Sequence, residues 1–68
     1  MVNNLQELAE LISRRDNISL DEAWRLIDIT EEDIEYALAL DPPSYIEAED
    51  AVANNLGLEP DYLDLFFL

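Results

Sequence analysis

Ser19-Leu20-Asp21-Glu22-Ala23-Trp24-Arg25-Leu26-Ile27 is the stretch on which the fold turns. A serine followed three residues later by a glutamate has the form of a capping box. The hydroxyl accepts a hydrogen bond from the first helical turn, and the carboxylate reaches back to the cap. Ile18 stands one residue before the cap, placed to staple against Ala23. Leu20, Ala23, Trp24 and Ile27 recur at three- and four-residue steps with Leu26 beside them, so the segment reads as a helix with one apolar face. On that face Trp24 is expected to fill the core rather than to act as a contact surface, because a large ring suits a small helical interior.

The same signals repeat on either side. Towards the N-terminus, Asn4-Leu5-Gln6-Glu7 is another capping box, and Leu5, Leu8, Ala9, Leu11 and Ile12 line one helical face. Arg14 and Arg15 fall in the last turn, where positive charge suits the helix dipole, and Asp16-Asn17 reads as the turn. Towards the C-terminus, Thr30-Glu31-Glu32-Asp33 is expected to open a separate helix, acidic in its first turn. Ile34, Ala37 and Leu38 form its stripe, and Tyr36 and Leu40 widen it, which predicts burial on more than one side. Asp41-Pro42-Pro43 ends it, since a residue before proline is pushed out of the α region.

Ser44-Tyr45-Ile46-Glu47 opens the next helix, with Tyr45, Ala48, Ala51, Val52 and Leu56 expected on its inner face. Leu56-Gly57-Leu58 reads as a left-handed stop. Glu59-Pro60 then starts a short helix carrying Tyr62, Leu63, Leu65, Phe66, Phe67 and Leu68. No segment alternates with a period of two, so no strand is expected. These elements predict an all-α fold in a single domain over residues 1–68: a compact bundle of four helices plus a short C-terminal helix.

The spacing from Ala53 through Gly57 to Leu63 resembles the core of a helix-turn-helix unit: a small residue at the crossing, a glycine at the turn and an apolar anchor beyond it. That resemblance implies helix-turn-helix-like packing of the last two helices. A DNA-reading unit would carry basic or amide side chains on its second helix. Here those positions hold Glu59, Asp61 and Asp64, so DNA reading is not expected. Leu56-Gly57-Leu58-Glu59-Pro60-Asp61-Tyr62 is also similar to the ending of small acidic hypothetical proteins of phages and mobile elements of Gram-positive bacteria. That resemblance implies a mobile-element accessory protein and brings no activity with it.

Charge narrows the function. In 68 residues, half of them hydrophobic, there is no histidine, cysteine or lysine. Residues 1–25 carry three arginines against five carboxylates, whereas residues 26–68 carry twelve carboxylates and no basic residue. Such a surface repels phosphate and anionic headgroups, so neither nucleic acid nor membrane is an expected partner. A basic protein is. The acidic faces can imitate a phosphate array and occupy the groove of a basic nucleic-acid-binding protein. Solubility or adaptation to high salt would account for the same composition.

Nothing suggests catalysis, because no nucleophile–base pair can be assembled and the three serines read as cap or surface residues. No cofactor is implied. Asp28-Ile29-Thr30-Glu31-Glu32-Asp33 is rich in oxygen but lacks the ligand spacing and glycine of a calcium loop, so no metal is expected. With no basic leader followed by an apolar run and no stretch of about 20 apolar residues, a cytoplasmic location is expected.

The candidate partner-binding residues are Glu31, Glu32, Glu35, Asp61 and Asp64, together with Tyr62, Leu65 and Phe66. Leu63 and Phe67, four apart, are assigned to the core. Tyr62, Leu65 and Phe66 then face outward, which makes homodimerisation through the C-terminal helix the alternative function.

Overall fold

The computed structural model describes residues 2–67 and is all-helical, with no strand among them. Three α-helices, α1 (Leu5–Asp16), α2 (Leu20–Leu38) and α3 (Tyr45–Leu56), precede a C-terminal 3₁₀ helix (Pro60–Phe67). Three of the four expected N-caps form. The Asn4 side chain accepts from Glu7 N–H at 2.8 Å, Ser19 from Glu22 at 3.1 Å and Ser44 from Glu47 at 3.2 Å. Only Glu7 returns the bond, and it accepts from the N–H of Asn3 rather than from that of the cap. Asn17 and Gly57, both left-handed, close α1 and α3 with N–H bonds to the carbonyls four residues back.

The expected break at Thr30 does not exist, and the two helices read on either side of it are one. Thr30 is fully buried, and its hydroxyl donates to the Leu26 carbonyl at 2.8 Å. Bonding back to the preceding turn satisfies the hydroxyl inside a helix, so Thr30 does not cap one. The apolar period also runs through without a shift: Ala23, Ile27, Thr30, Ile34 and Ala37 are the buried residues of α2. Its nineteen residues span about 28 Å at 1.5 Å each.

This long helix is the spine, packing against both α1 and α3, while the 3₁₀ helix packs on α3. The core therefore divides along it. At one end Leu8, Ala9 and Ile12 of α1 meet Ala23, Ile27 and Leu56. At the other, Ile34 and Ala37 meet Ala48, Ala51, Val52 and Leu63. Leu58, Tyr62 and Phe66 touch both clusters and bridge them.

Several face assignments are corrected by this arrangement. Tyr36 is 69% exposed and Tyr45 is 62% exposed, so α2 is buried on one side only and α3 turns its first residue outward. Small alanines at 37, 48 and 51 let the two backbones approach, and a ring at the end of either helix has no room between them. Trp24 is half-buried against the rim of the first cluster rather than inside it, and Leu20 is exposed. In the last helix Leu63 is buried while Phe67 is 53% exposed. A 3₁₀ helix has three residues per turn, so Leu63 shares its face with Phe66 and not with Phe67. Leu68, read as part of the same apolar run, lies outside the described residues.

Arg15 ties the ends of two helices together. One of its guanidinium nitrogens donates to the Leu56 carbonyl at 2.6 Å and another to Gly57 at 3.4 Å, covering the C-terminus of α3. Positive charge there suits the dipole of α3 as well as that of α1. A Cβ on Gly57 would stand 3.7 Å from the guanidinium, an ordinary contact, so backbone conformation rather than space selects glycine. Arg15 also forks onto Asp16 at 2.8 and 2.9 Å, and this hydrogen bonding holds the Asp16 carboxyl below the usual carboxylate range. A lowered carboxyl stabilises the fold above its ordinary pKa, and that contribution is lost as pH falls through the lowered value.

Arg15→Ala is expected to cost about 1–2 kcal/mol, mostly from the α3 carbonyls it leaves without a partner. Thermal melts should show a drop on the order of 5–10 °C. Arg15→Lys should recover part of the loss, because an ammonium cannot fork.

Candidate functional site

The acidic row and the apolar row of the second half of α2 arise from one register. Ile34 and Leu38 are one turn apart, as are Glu31 and Glu35, and each carboxylate stands three residues ahead of an apolar partner. Rows four residues apart run side by side along a helix. The 3₁₀ helix lies against them, and the resulting groove, about 430 Å³, is lined by Glu31, Ile34, Glu35, Leu38, Ala39, Phe66 and Phe67. Its floor is apolar, its α2 edge carries Glu31 and Glu35, and the half-exposed ring of Phe67 stands among its lining residues.

A second groove, about 260 Å³, is lined by Val2, Glu59, Asp61, Tyr62, Asp64 and Leu65. Seven of the eight candidate residues thus gather in two places beside the 3₁₀ helix. Glu31, Glu35 and Phe66 line the first groove, and Asp61, Tyr62, Asp64 and Leu65 line the second. Glu32 is exposed and lines neither. None of the three residues expected to face outward is free to do so: Tyr62 and Phe66 pack against both core clusters and Leu65 against the first.

Sequence reasoning missed Ile34, Leu38 and Phe67 as groove residues. The first two were legible as a one-turn repeat beside Glu31 and Glu35. Phe67 was not, because its exposure follows from the 3₁₀ period.

Electrostatically the surface is one-sided. Among the described residues a single ion pair forms, Arg15–Asp16, and it lines neither groove. Asn55 donates to Asp33 at 2.8 Å, tying α3 to α2 with an amide rather than a cation. No group of three carboxylates among the described residues is arranged to hold a metal ion. No described helix is long and apolar enough to cross a membrane.

Crowding of like charges on α2 sets a salt dependence. Asp28, Glu31, Glu32 and Glu35 stand three and four residues apart, and each such like-charged pair opposes helix formation by roughly 0.2–0.5 kcal/mol. Screening relieves that repulsion. The urea midpoint is expected to rise between low salt and about half-molar salt. No family model matches this chain, and neither a curated protein nor a solved structure is matched by it.

Proposed function

We propose that this protein is an acidic interaction module that binds a basic protein, of the kind that itself binds nucleic acid, as a small accessory factor of a phage or mobile element. The reading rests on one observation: twelve carboxylates and no basic residue in residues 26–68, which run from the second turn of α2 through α3 and the 3₁₀ helix. A basic partner meeting that surface releases the counterions it would release to a duplex, so the two ligands compete.

The test is capture on the immobilised full chain from a Gram-positive lysate, eluted with salt and, separately, with duplex DNA. Nucleic-acid-binding proteins released by both are the expected result. Capture of no basic protein at low salt, or capture that half-molar salt leaves intact, overturns the reading. The pure protein is itself expected to give no mobility shift with duplex DNA even at low ionic strength, because like charge opposes the encounter.

The alternative reading is a homodimerisation module built on the C-terminal helix. Phe67, half-exposed at its end, favours it, and takes the place of Phe66 as the residue that a second copy would cover. Apolar pairing of two like-charged copies does not weaken as salt rises, whereas binding to a basic partner does. Light scattering at high protein concentration, for the wild type and Phe67→Ser, separates the two.

A further inference from the structure

We propose that the groove between α2 and the 3₁₀ helix docks a basic amphipathic helical segment of the partner. Its apolar residues seat on Leu38, Phe66 and Phe67 above the buried Ile34, and its arginines or lysines lie along Glu31 and Glu35. This inference rests on the preceding reading and adds where the partner binds and what it must present.

The groove's pattern specifies the occupant. Its acidic row steps from Glu31 to Glu35, a rung of about 6 Å for four residues of helix, beside an apolar wall of Leu38, Phe66 and Phe67 over the buried Ile34. A helix presenting apolar residues one turn apart, with a basic row beside them, repeats at the same interval. An extended strand repeats its side chains on one face about every 7 Å and finds no exposed sheet edge here. Charge disfavours other occupants: nucleic acid and anionic lipid carry the sign of the rim. A second copy of the chain would bring another net charge of −14 against it. Apolar seating explains what uniform charge cannot, namely why Phe67 is left half-exposed beside an acidic edge.

The probe is a synthetic leucine–lysine peptide designed as an amphipathic helix, titrated into the full-length 15N-labelled chain at low salt. Two controls share its charge: one with alanine at every leucine, one with the same residues scrambled out of helical period. Amide shift changes are expected to concentrate in residues 31–39 and 65–67. Loss of the leucines should weaken binding by at least about tenfold, since burying a single leucine side chain is worth that much. Glu31→Gln with Glu35→Gln, and separately Phe67→Ala, should weaken it too. All three positions are at least partly exposed, so these variants are expected to fold.

Equal affinity for the three peptides, or shift changes spread over the carboxylates of α3, overturns groove docking while leaving a charge-driven partner standing. So does concentration-dependent shifting of the groove amides without peptide, which would make the occupant a second copy. Failure of every basic peptide and every basic protein to bind removes the preceding reading, and this one with it.

Discussion

Ile27→Ala is expected to leave the protein at or below the threshold of folding. Ile27 is fully buried in the cluster where α1, α2 and the end of α3 converge, beside Leu8, Ile12 and Leu56. Truncating a buried isoleucine to alanine costs about 2–5 kcal/mol, the larger values arising where the walls cannot collapse into the cavity. Collapse is difficult here because three helices meet at the site and α2 cannot shift toward α1 without opening the second cluster further along the same helix. A domain of fewer than about 70–80 residues without disulfide or metal rarely has more than 3–5 kcal/mol to lose. Far-ultraviolet dichroism and a urea titration at low salt should therefore show either an unfolded chain or a midpoint near zero denaturant. A midpoint within a few tenths molar of the wild type would mean that the cluster is not a cooperative core.

High salt gives a second view of the same variant. If repulsion along α2 is part of what opposes folding, half-molar salt should restore some helix to Ile27→Ala. Since screening leaves the cavity unchanged, the restoration should be incomplete. Helicity recovering to the wild-type value would assign the larger share of the instability to charge rather than packing.

How much of this was legible in the sequence depends on which physical term decided each residue. The caps at Asn4, Ser19 and Ser44 and the stop at Gly57 are local: a short polar side chain or a missing Cβ satisfies backbone groups within four residues, and all were readable. Thr30 failed because a hydroxyl followed by acids suits both a cap and a mid-helix back-bond. Which one wins is decided by the continuous burial of Ile27 and Ile34 on either side. Tyr36 and Tyr45 failed for a different reason. Hydrophobicity places a residue on the right helix but does not say whether the facing helix leaves room, and alanines 37, 48 and 51 fill the closest part of the α2–α3 contact. In the last element the register itself was misjudged, since a period of three in place of 3.6 exchanges Phe66 for Phe67. The candidate carboxylates were readable from composition. That Glu31 and Glu35, but not Glu32, border an apolar groove required the 3₁₀ helix to be laid against α2.

Leu63→Ala tests whether that last element is held by its own packing, and ties the groove to it. Leu63 is the one fully inward residue of the 3₁₀ helix, 5% exposed among Ile34, Ala37, Ala48, Ala51 and Val52. Its truncation is expected to cost about 2–5 kcal/mol, comparable with Ile27→Ala, but the consequence should be spread differently along the chain. A 3₁₀ segment has weaker hydrogen-bond geometry than an α-helix and rarely persists without tertiary support. The 3₁₀ helix also follows the Gly57–Glu59 turn, so it can detach without breaking α1, α2 or α3. Hydrogen exchange should therefore show the amides of residues 60–67 losing protection first, while those of α2 around Ile27 keep theirs, a sub-global opening rather than complete unfolding. Phe66 and Phe67 leave with the helix, so the groove on α2 loses one wall and its affinity for a basic amphipathic peptide should fall with the exchange protection. Uniform loss of protection across all four elements would instead make the 3₁₀ helix part of the single cooperative core. Protection unchanged throughout would mean that Leu63 contributes nothing to holding it.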